Sequence, residues 1–375
     1  MHSFCFQQPG SAAFLDAIER AATGADEGAA MFAFASSGGV DAFFQVPGVA
    51  DMLRQRKPFH LVVGIDAITN AEALLCIEDK RNLSRSALTA EVFIHEHPAS
   101  TFHPKFVWFR HGDEVRLIAG SGNLTTRGLG IVSVVAQAPG NWEAFGEHVL
   151  HGAAARTTVQ NLRNWAATQR AVQNLRLLND EQVRARAMTN GLVRFSTGRL
   201  PGAGAGAAPV PVDDETFEVL DILVRELPKN RPGQADVGKT ALSQFFGFAS
   251  GAKDVLLQHV SLENHLGKTE KIRLFTNESQ NYRLELRAMA GFPYHIGADD
   301  GRLILVATKL DRRSFRYTIV PVDSPAHTQL SNLLGFIGRG RRFMREKRVT
   351  GDELRASWPA APVNLLPITV TTLTP

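Results

Sequence analysis

A tract of Gly, Ala and Pro near the middle of the chain, Gly198-Arg199-Leu200-Pro201-Gly202-Ala203-Gly204-Ala205-Gly206-Ala207-Ala208-Pro209, limits what these 375 residues can fold into. Side chains this small cannot fill a core, and Gly and Pro together interrupt both helix and strand. The tract therefore reads as a linker over residues 198–211, with one domain over 1–197 and another over 212–375. A hydrophobic content of 44% is ample for two cores of that size.

The first segment alternates helix and strand patterns. Residues 11–23 read as a helix, 30–35 as a strand, 39–46 as a turn or short helix, 60–65 as a strand, 69–77 as a helix and 90–94 as a strand. From Ala153 to Val193 the chain is rich in Ala, Leu, Arg and Gln. Leu162, Trp165, Val172, Leu175 and Leu178 there fall near helical spacing, so helices are expected to close the domain.

Chemistry concentrates between residues 102 and 129. Phe102, Phe106, Val107, Trp108 and Phe109 read as a buried strand, in which residues two apart share a face, so His103 and Lys105 point the same way. His111-Gly112-Asp113-Glu114 reads as a hairpin turn, and Val115 to Ala119 as the return strand. That return brings Ser121 and Asn123, within Gly120-Ser121-Gly122-Asn123, back beside the His103 end. The two glycines allow backbone N–H groups to approach an anion, and the segment from Asn123 to Leu129 can open a helix whose N-terminus favours negative charge. A histidine, a lysine and an amide are thus expected around one phosphoryl group.

His103-x-Lys105 followed by Gly120-Ser121-x-Asn123 resembles the phospholipase D superfamily signature. The wording Ser-x-Asn-Leu-Thr-x-Arg-Gly-Leu is most similar to its nuclease branch, as is the run His60-Leu61-Val62-Val63-Gly64-Ile65-Asp66 followed by Thr69 and an Ala/Leu-rich helix. The resemblance covers roughly residues 30–170. It implies catalysis by His103, Lys105, Asn123 and Ser121, with neither metal nor cofactor. Such enzymes use two His-x-Lys motifs, and no second one occurs here. A single copy implies a homodimer with one active site across its two-fold axis. With a C-terminal extension, that layout resembles the BfiI-type metal-independent restriction endonucleases. The implied chemistry is attack by His103 on phosphorus to give a phosphohistidine, with His103 of the second subunit protonating the leaving oxygen. Lys105 and Asn123 would hold the non-bridging oxygens, and Ser121 would add a hydrogen bond. One departure stands out: where family members carry a glutamate, the strand reads Ile131-Val132-Ser133-Val134-Val135-Ala136. Glu143, within Asn141-Trp142-Glu143-Ala144, comes later and is either the orienting carboxylate after an insertion or the first turn of a helix.

After the linker the pattern changes. Residues 214–227 read as a helix, with Phe217, Leu220, Leu223 and Val224 along one face and Pro228 near its end. Short strands are then expected over 252–259, 271–275, 282–288, 302–309 and 315–320, which suggests a small β-barrel. The fold class expected is α/β: an N-terminal phospholipase D-like α/β sandwich followed by a β-rich pseudobarrel DNA-recognition domain, the pseudobarrel being implied by the resemblance. The net charge of +4 says little, but its distribution says more. Lys309, Arg312, Arg313 and Arg316, and the run from Arg339 to Arg348, are expected to contact phosphates. The amide-rich turn Thr276-Asn277-Glu278-Ser279-Gln280-Asn281, flanked by Arg273 and Arg283, has the chemistry to read base edges.

Only Cys5 and Cys76 occur, so no disulfide framework is implied and a reducing compartment is natural. The N-terminus has no basic segment followed by an apolar one, and no run of about 18 apolar residues exists, which disfavours a membrane partner. The expected protein is a cytoplasmic, prokaryotic, homodimeric endonuclease acting on double-stranded DNA. Two rivals remain: a lipid or other phosphodiesterase of the same superfamily, and a DNA-binding defence protein with a degenerate catalytic domain.

Overall fold

The computed structural model describes residues 2–97, 100–131, 140–190, 221–228, 233–237, 241, 244–247, 252–276, 282–288, 301–335 and 344–366. The chain divides into two compact units, the first holding the described residues up to Asn190 and the second those from Asp221 onward. The expected linker at 198–211, most of the strand at 131–136, Asn277, Gln280, Asn281 and the stretch 339–343 of the basic run lie outside the described residues.

The first unit is an α/β fold on an eight-stranded sheet. Its strands are β1 (His2–Gln7), β2 (Glu27–Phe32), β3 (Phe59–Gly64), β4 (Leu88–Phe93), β5 (Lys105–His111), β6 (Glu114–Gly120), β7 (Glu143–His151) and β8 (Leu175–Leu177), in the order β1-β7-β6-β5-β2-β3-β4-β8. β2, β3 and β4 run parallel; the other pairings are antiparallel. The connecting helices are α1 (Ala13–Ala22), α2 (Ser37–Gln45), α3 (Pro47–Arg54), α4 (Ala71–Leu83), α5 (Gly152–Ala171) and α6 (Glu181–Asn190). Alternation along β5 explains why both faces of the sheet are covered. Phe109 packs with Phe59, itself against Phe43 of α2, while its neighbour Trp108 points the other way and packs with Ala155 and Val159 of α5. Of the residues near helical spacing between Ala153 and Val193, Val172, Leu175 and Leu178 fall beyond the end of α5 at Ala171. Gln173 takes a positive φ of 61°, and Leu175 to Leu177 leave the helix to pair with β4, which buries Leu175 against the sheet.

The second unit is a second eight-stranded sheet. It comprises β9 (Asp221–Glu226), β10 (Gln234–Val237), β11 (Ala252–Val260), β12 (Leu266–Thr276), β13 (Tyr282–Glu285), β14 (Ile304–Lys309), β15 (Ser314–Val320) and β16 (Glu346–Thr350), ordered β10-β13-β12-β11-β15-β14-β9-β16. Among the described residues the end strands β10 and β16 are not paired with each other, so the expected barrel is an open sheet by its hydrogen bonding. One face carries a core that includes Leu223, Val255, Leu274, Leu305, Phe315 and Tyr317. The other packs on α7 (Pro325–Leu334) and α8 (Gly351–Ser357) through Ile222, Val224, Val306, Leu330, Leu354 and Trp358.

The helix expected over 214–227 is corrected from Asp221 onward, where the chain is strand β9. Ile222 and Val224 enter one core while Leu223 enters the other, a period of two. With a core on each face of the sheet, β9 buries every side chain after Asp221 and so loses the polar-apolar alternation by which strands are usually recognised.

Candidate active site

His103 sits in the short segment leading into β5, and Lys105 is the first residue of that strand. Phe106 pairs with Ala119 of β6, so the ends of the two strands that carry His103 and Ser121 lie side by side, as the hairpin pattern requires. The hairpin turns on Gly112 and Asp113, with Gly112 at φ 61°. Lys105 Nζ stands 3.0 Å from both His103 ring nitrogens and 3.3 Å from the His103 carbonyl oxygen, to which it donates. Burial pushes the His103 imidazole below its ordinary pKa, and the charge of Lys105 adds to that. The ring is thereby favoured in its neutral form, with a lone pair on one nitrogen.

Lys105 is buried, and desolvation lowers its own pKa; the Glu143 carboxylate opposes that shift. Glu143 is the first residue of β7, across from Gln7 of β1, and not part of a helix. Its carboxylate accepts a short hydrogen bond from the Ser121 hydroxyl and one of 3.2 Å from Asn141 Nδ2. The Ser121 hydroxyl oxygen in turn accepts from the Ala144 backbone N–H at 3.0 Å. His103 and Lys105 thus form one polar contact and Glu143, Ser121 and Asn141 a second, with the Glu143 charge acting on Lys105 between them, and a carboxylate stands beside Ser121.

Asn123 reaches the same region through the backbone. Leu124 N–H donates to the Phe34 carbonyl and Ser36 N–H to the Leu124 carbonyl, while the Phe34 ring stands 6.5 Å from the His103 ring. The Asn123 segment does not open a helix; it is a set of turns closed by Leu129 N–H on the Thr125 carbonyl and Gly130 N–H on the Arg127 carbonyl. Gly39 and Gly128 hold this loop in place by having no Cβ. A Cβ on Gly39 would lie 2.2 Å from the Leu124 carbonyl oxygen, and one on Gly128 would lie 2.6 Å from that of Asn123. Gln7 Nε2 donates to the Gly128 carbonyl and pins the loop from the other side. Asn123 Oδ1 is shut off from solvent and takes no hydrogen bond among the described residues.

His103 also lines a cleft of about 470 Å³ together with Phe93, His95, Phe102, Trp165 and others. Nothing in the sequence pointed to this cleft, because its walls come from β2, β4, β5, α5 and the segments beside them. Among the described residues no group of three or more His, Cys, Asp or Glu is placed to hold a metal ion, and no helix is long and apolar enough to cross a membrane.

In the second unit the expected phosphate-contacting residues separate. Lys309 and Arg313 are each only 6% exposed, and Arg316 is buried as well. Arg313 Nε donates to the Asp254 carbonyl at 2.8 Å, and Arg316 donates to Gln258 Oε1 and the Asn364 carbonyl, so these two guanidinium groups serve the fold. Arg345 of the basic run is likewise internal: two of its nitrogens reach Glu226 Oε1 at 2.8 and 2.9 Å, and a third caps the carbonyls of Ser331 and Gly335. Arg312 and Arg273 are exposed, and Arg283 falls on β13. Burial lowers the pKa of Lys309; Asp221 opposes this, and Arg348, Arg312 and Lys253 reinforce it. Arg348 also grips Asp221 through Nε at 2.9 Å and a terminal nitrogen at 2.6 Å. Cations from two other stretches of sequence therefore act on Lys309, and one of them, Arg348, is bonded to Asp221, a grouping that linear order does not reveal.

No protein-family model matches the chain, and no curated protein does. Among 46 solved chains that match, one is the N-terminal domain of Helicobacter pylori LlaJI.R1, with a TM-score of 0.26 and 14% identity over 34% of this chain and 97% of that one. Another is phosphatidylserine synthase of Haemophilus influenzae Rd KW20, with a TM-score of 0.30 and 13% identity over 47% of this chain and 39% of that one. Likenesses of this size decide nothing about the chain, and its function has to be argued from the geometry of its own side chains.

Proposed function

We propose that this protein is a phospholipase D-type phosphodiesterase that hydrolyses DNA at specific sites, without a metal, as a homodimer. The observation that carries the reading is Lys105 Nζ at 3.0 Å from the His103 ring, with the hydrogen-bonded pair Glu143 and Ser121 near enough for the carboxylate charge to act on Lys105. A neutral imidazole kept beside a cation suits nucleophilic attack on a phosphodiester, because the cation also attracts the anionic substrate. In the first step a His103 ring nitrogen bonds to phosphorus, the bond to the leaving oxygen breaks, and His103 of a second copy gives that oxygen its proton. In the second step the same second histidine takes a proton from water, whose oxygen bonds to phosphorus as the phosphorus–nitrogen bond breaks. Lys105 neutralises the non-bridging oxygens in both steps, supplying charge that a metal provides elsewhere, and Asn123 donates a hydrogen bond to them.

One copy holds one such histidine, so the reaction needs two chains. A bare aromatic surface near the site supports a dimer: on edge strand β1, opposite Gly146 and Ala144 of β7, Phe4 and Phe6 are 68% and 70% exposed, and Trp142, just before β7, is 72% exposed. Large apolar groups this open usually meet a partner. For DNA, the supporting feature is the group formed by Lys309, Arg312, Arg348 and Lys253, with Arg312 exposed.

Plasmid cleavage in EDTA tests the reading. Cleavage that disappears in His103→Ala is expected. Turnover of phospholipid in place of DNA, or tight DNA binding with no cleavage, would each overturn it.

A further inference from the structure

The cleft beside His103 has a feature the phosphate chemistry does not need. Phe93 of β4, Phe102 in the segment before β5 and Trp165 of α5 are near-parallel: Phe93 and Phe102 lie 4.2 Å apart at 16°, Phe93 and Trp165 5.8 Å apart at 19°, and Phe102 and Trp165 6.1 Å apart at 23°. The three rings cover one another's facing sides and together form one aromatic wall of the cleft, against which a planar ligand can pack. The cleft also has polar walls. Asn174 Nδ2 donates to Gln169 Oε1 at 2.9 Å, and after that one mutual bond the amide pair still has donor and acceptor atoms of its own. His95 lines the cleft as well, but its Nε2 is closed off from solvent and faces Asp66 Oδ2 at 3.5 Å, so the polar edge open to a ligand is the amide pair. An acyl chain would leave these groups unpaired in a dry slot, which is unfavourable. A nucleobase offers them hydrogen-bonding edges and gives the rings a face.

The geometry points to a nucleobase subsite in this cleft: one unpaired base packs against the aromatic wall that Trp165 and Phe93 form, next to the phosphodiester held at His103, and Asn174 and Gln169 contact its edge. The inference rests on the reading of His103 as the phosphate-attacking group, since Phe102 is its chain neighbour and both line the cleft. The volume of about 470 Å³ holds a base with its sugar and lies within the usual range for small-ligand sites. Inside a duplex a base cannot reach such a slot, so the substrate class is a strand with a nucleotide displaced from its stack or already single.

Binding of a short single strand to the full chain in EDTA, read by fluorescence anisotropy, tests the subsite separately from cleavage. Each nucleotide of the strand is replaced in turn by an abasic residue. One abasic position should weaken binding about tenfold, as should Trp165→Ala on the intact strand. The two losses should not add, because both remove the same contact. Trp165→Phe should restore most of the affinity, which a merely unfolded variant would not do. Equal weakening of intact and abasic strands by Trp165→Ala overturns the inference, as does no weakening of either. Displacement of the strand by a short-chain phospholipid below its micelle concentration would assign the cleft to an acyl chain instead. A wild-type chain that shows the abasic effect yet cleaves nothing refutes the catalytic reading and leaves the subsite standing.

Discussion

Glu91 offers the sharpest test of how the first unit is held together, because it ties α5, which carries Trp165, to the strands that carry the rest of the cleft. The residue lies on β4 and is only 5% exposed. Its carboxylate accepts from Arg170 of α5 through two nitrogens, each at 2.6 Å, and stands 2.7 Å from His60 Nε2 on β3. Burial by itself would raise the carboxyl, but hydrogen bonds from His60 and Arg170, together with their charges, override it and hold the pKa at about 2 against an ordinary 4.5. That drop corresponds to about 3 kcal/mol of stability, at about 1.4 kcal/mol for each tenfold change in proton affinity. Because the folded value is the lower one, the stabilisation is complete above the unfolded pKa of 4.5 and is lost as pH falls from there toward 2. Glu91→Gln should therefore cost about 2–3 kcal/mol near neutral pH, and the gap to the parent chain should close as the solution is acidified. Urea titrations between about pH 7 and about pH 3, followed by the fluorescence of Trp108 and Trp165, measure both quantities. A gap that stays constant over this window, or a variant as stable as the parent at neutral pH, would refute the linkage.

Four further outcomes are expected. Glu143→Gln removes the carboxylate that holds the Lys105 ammonium up, so the alkaline limb of the pH–rate profile should move to lower pH, with kcat reduced by about 10²-fold. Arg345→Met leaves Glu226 buried without its partner and should destabilise the second unit by about 3–5 kcal/mol, visible as a lower urea midpoint. Arg312→Ala should reduce the salt slope of DNA binding by about one with stability unchanged, whereas Arg313→Ala should lower the melting temperature through loss of its bond to the Asp254 carbonyl. Gly39→Ala drives a methyl group into the Leu124 carbonyl and should displace the Asn123 loop, lowering both activity and stability; a variant with both unchanged would contradict the close approach.

The His103 hairpin was legible in the sequence because its determinants are local. Strand alternation puts His103 and Lys105 on one side, a two-residue turn at Gly112 and Asp113 sets the register, and the register carries Ser121 back to His103. The same locality covers most elements of the first unit. Segment 221–227 misled because Leu223 and Val224 fit a helical stripe as well as a buried strand, and only pairing with β14 and β16 separates the two. Glu143 was ambiguous for a related reason, since its partner Ser121 lies 22 residues away and no local pattern sets the register between them.

Charge shows the limit most clearly. Sequence alone identified which residues are cationic and that they cluster beyond residue 300, and it set His103, Lys105 and Ser121 at one end of a hairpin. Tertiary structure alone decided which cations face solvent. It turned Arg313, Arg316 and Arg345 inward onto Asp254, Asn364 and Glu226, and gathered Arg348, Arg312 and Lys253 around Lys309. Local pattern encodes the direction of a side chain along its own strand; burial depends on what the rest of the chain packs against it, and that is settled only when distant segments meet.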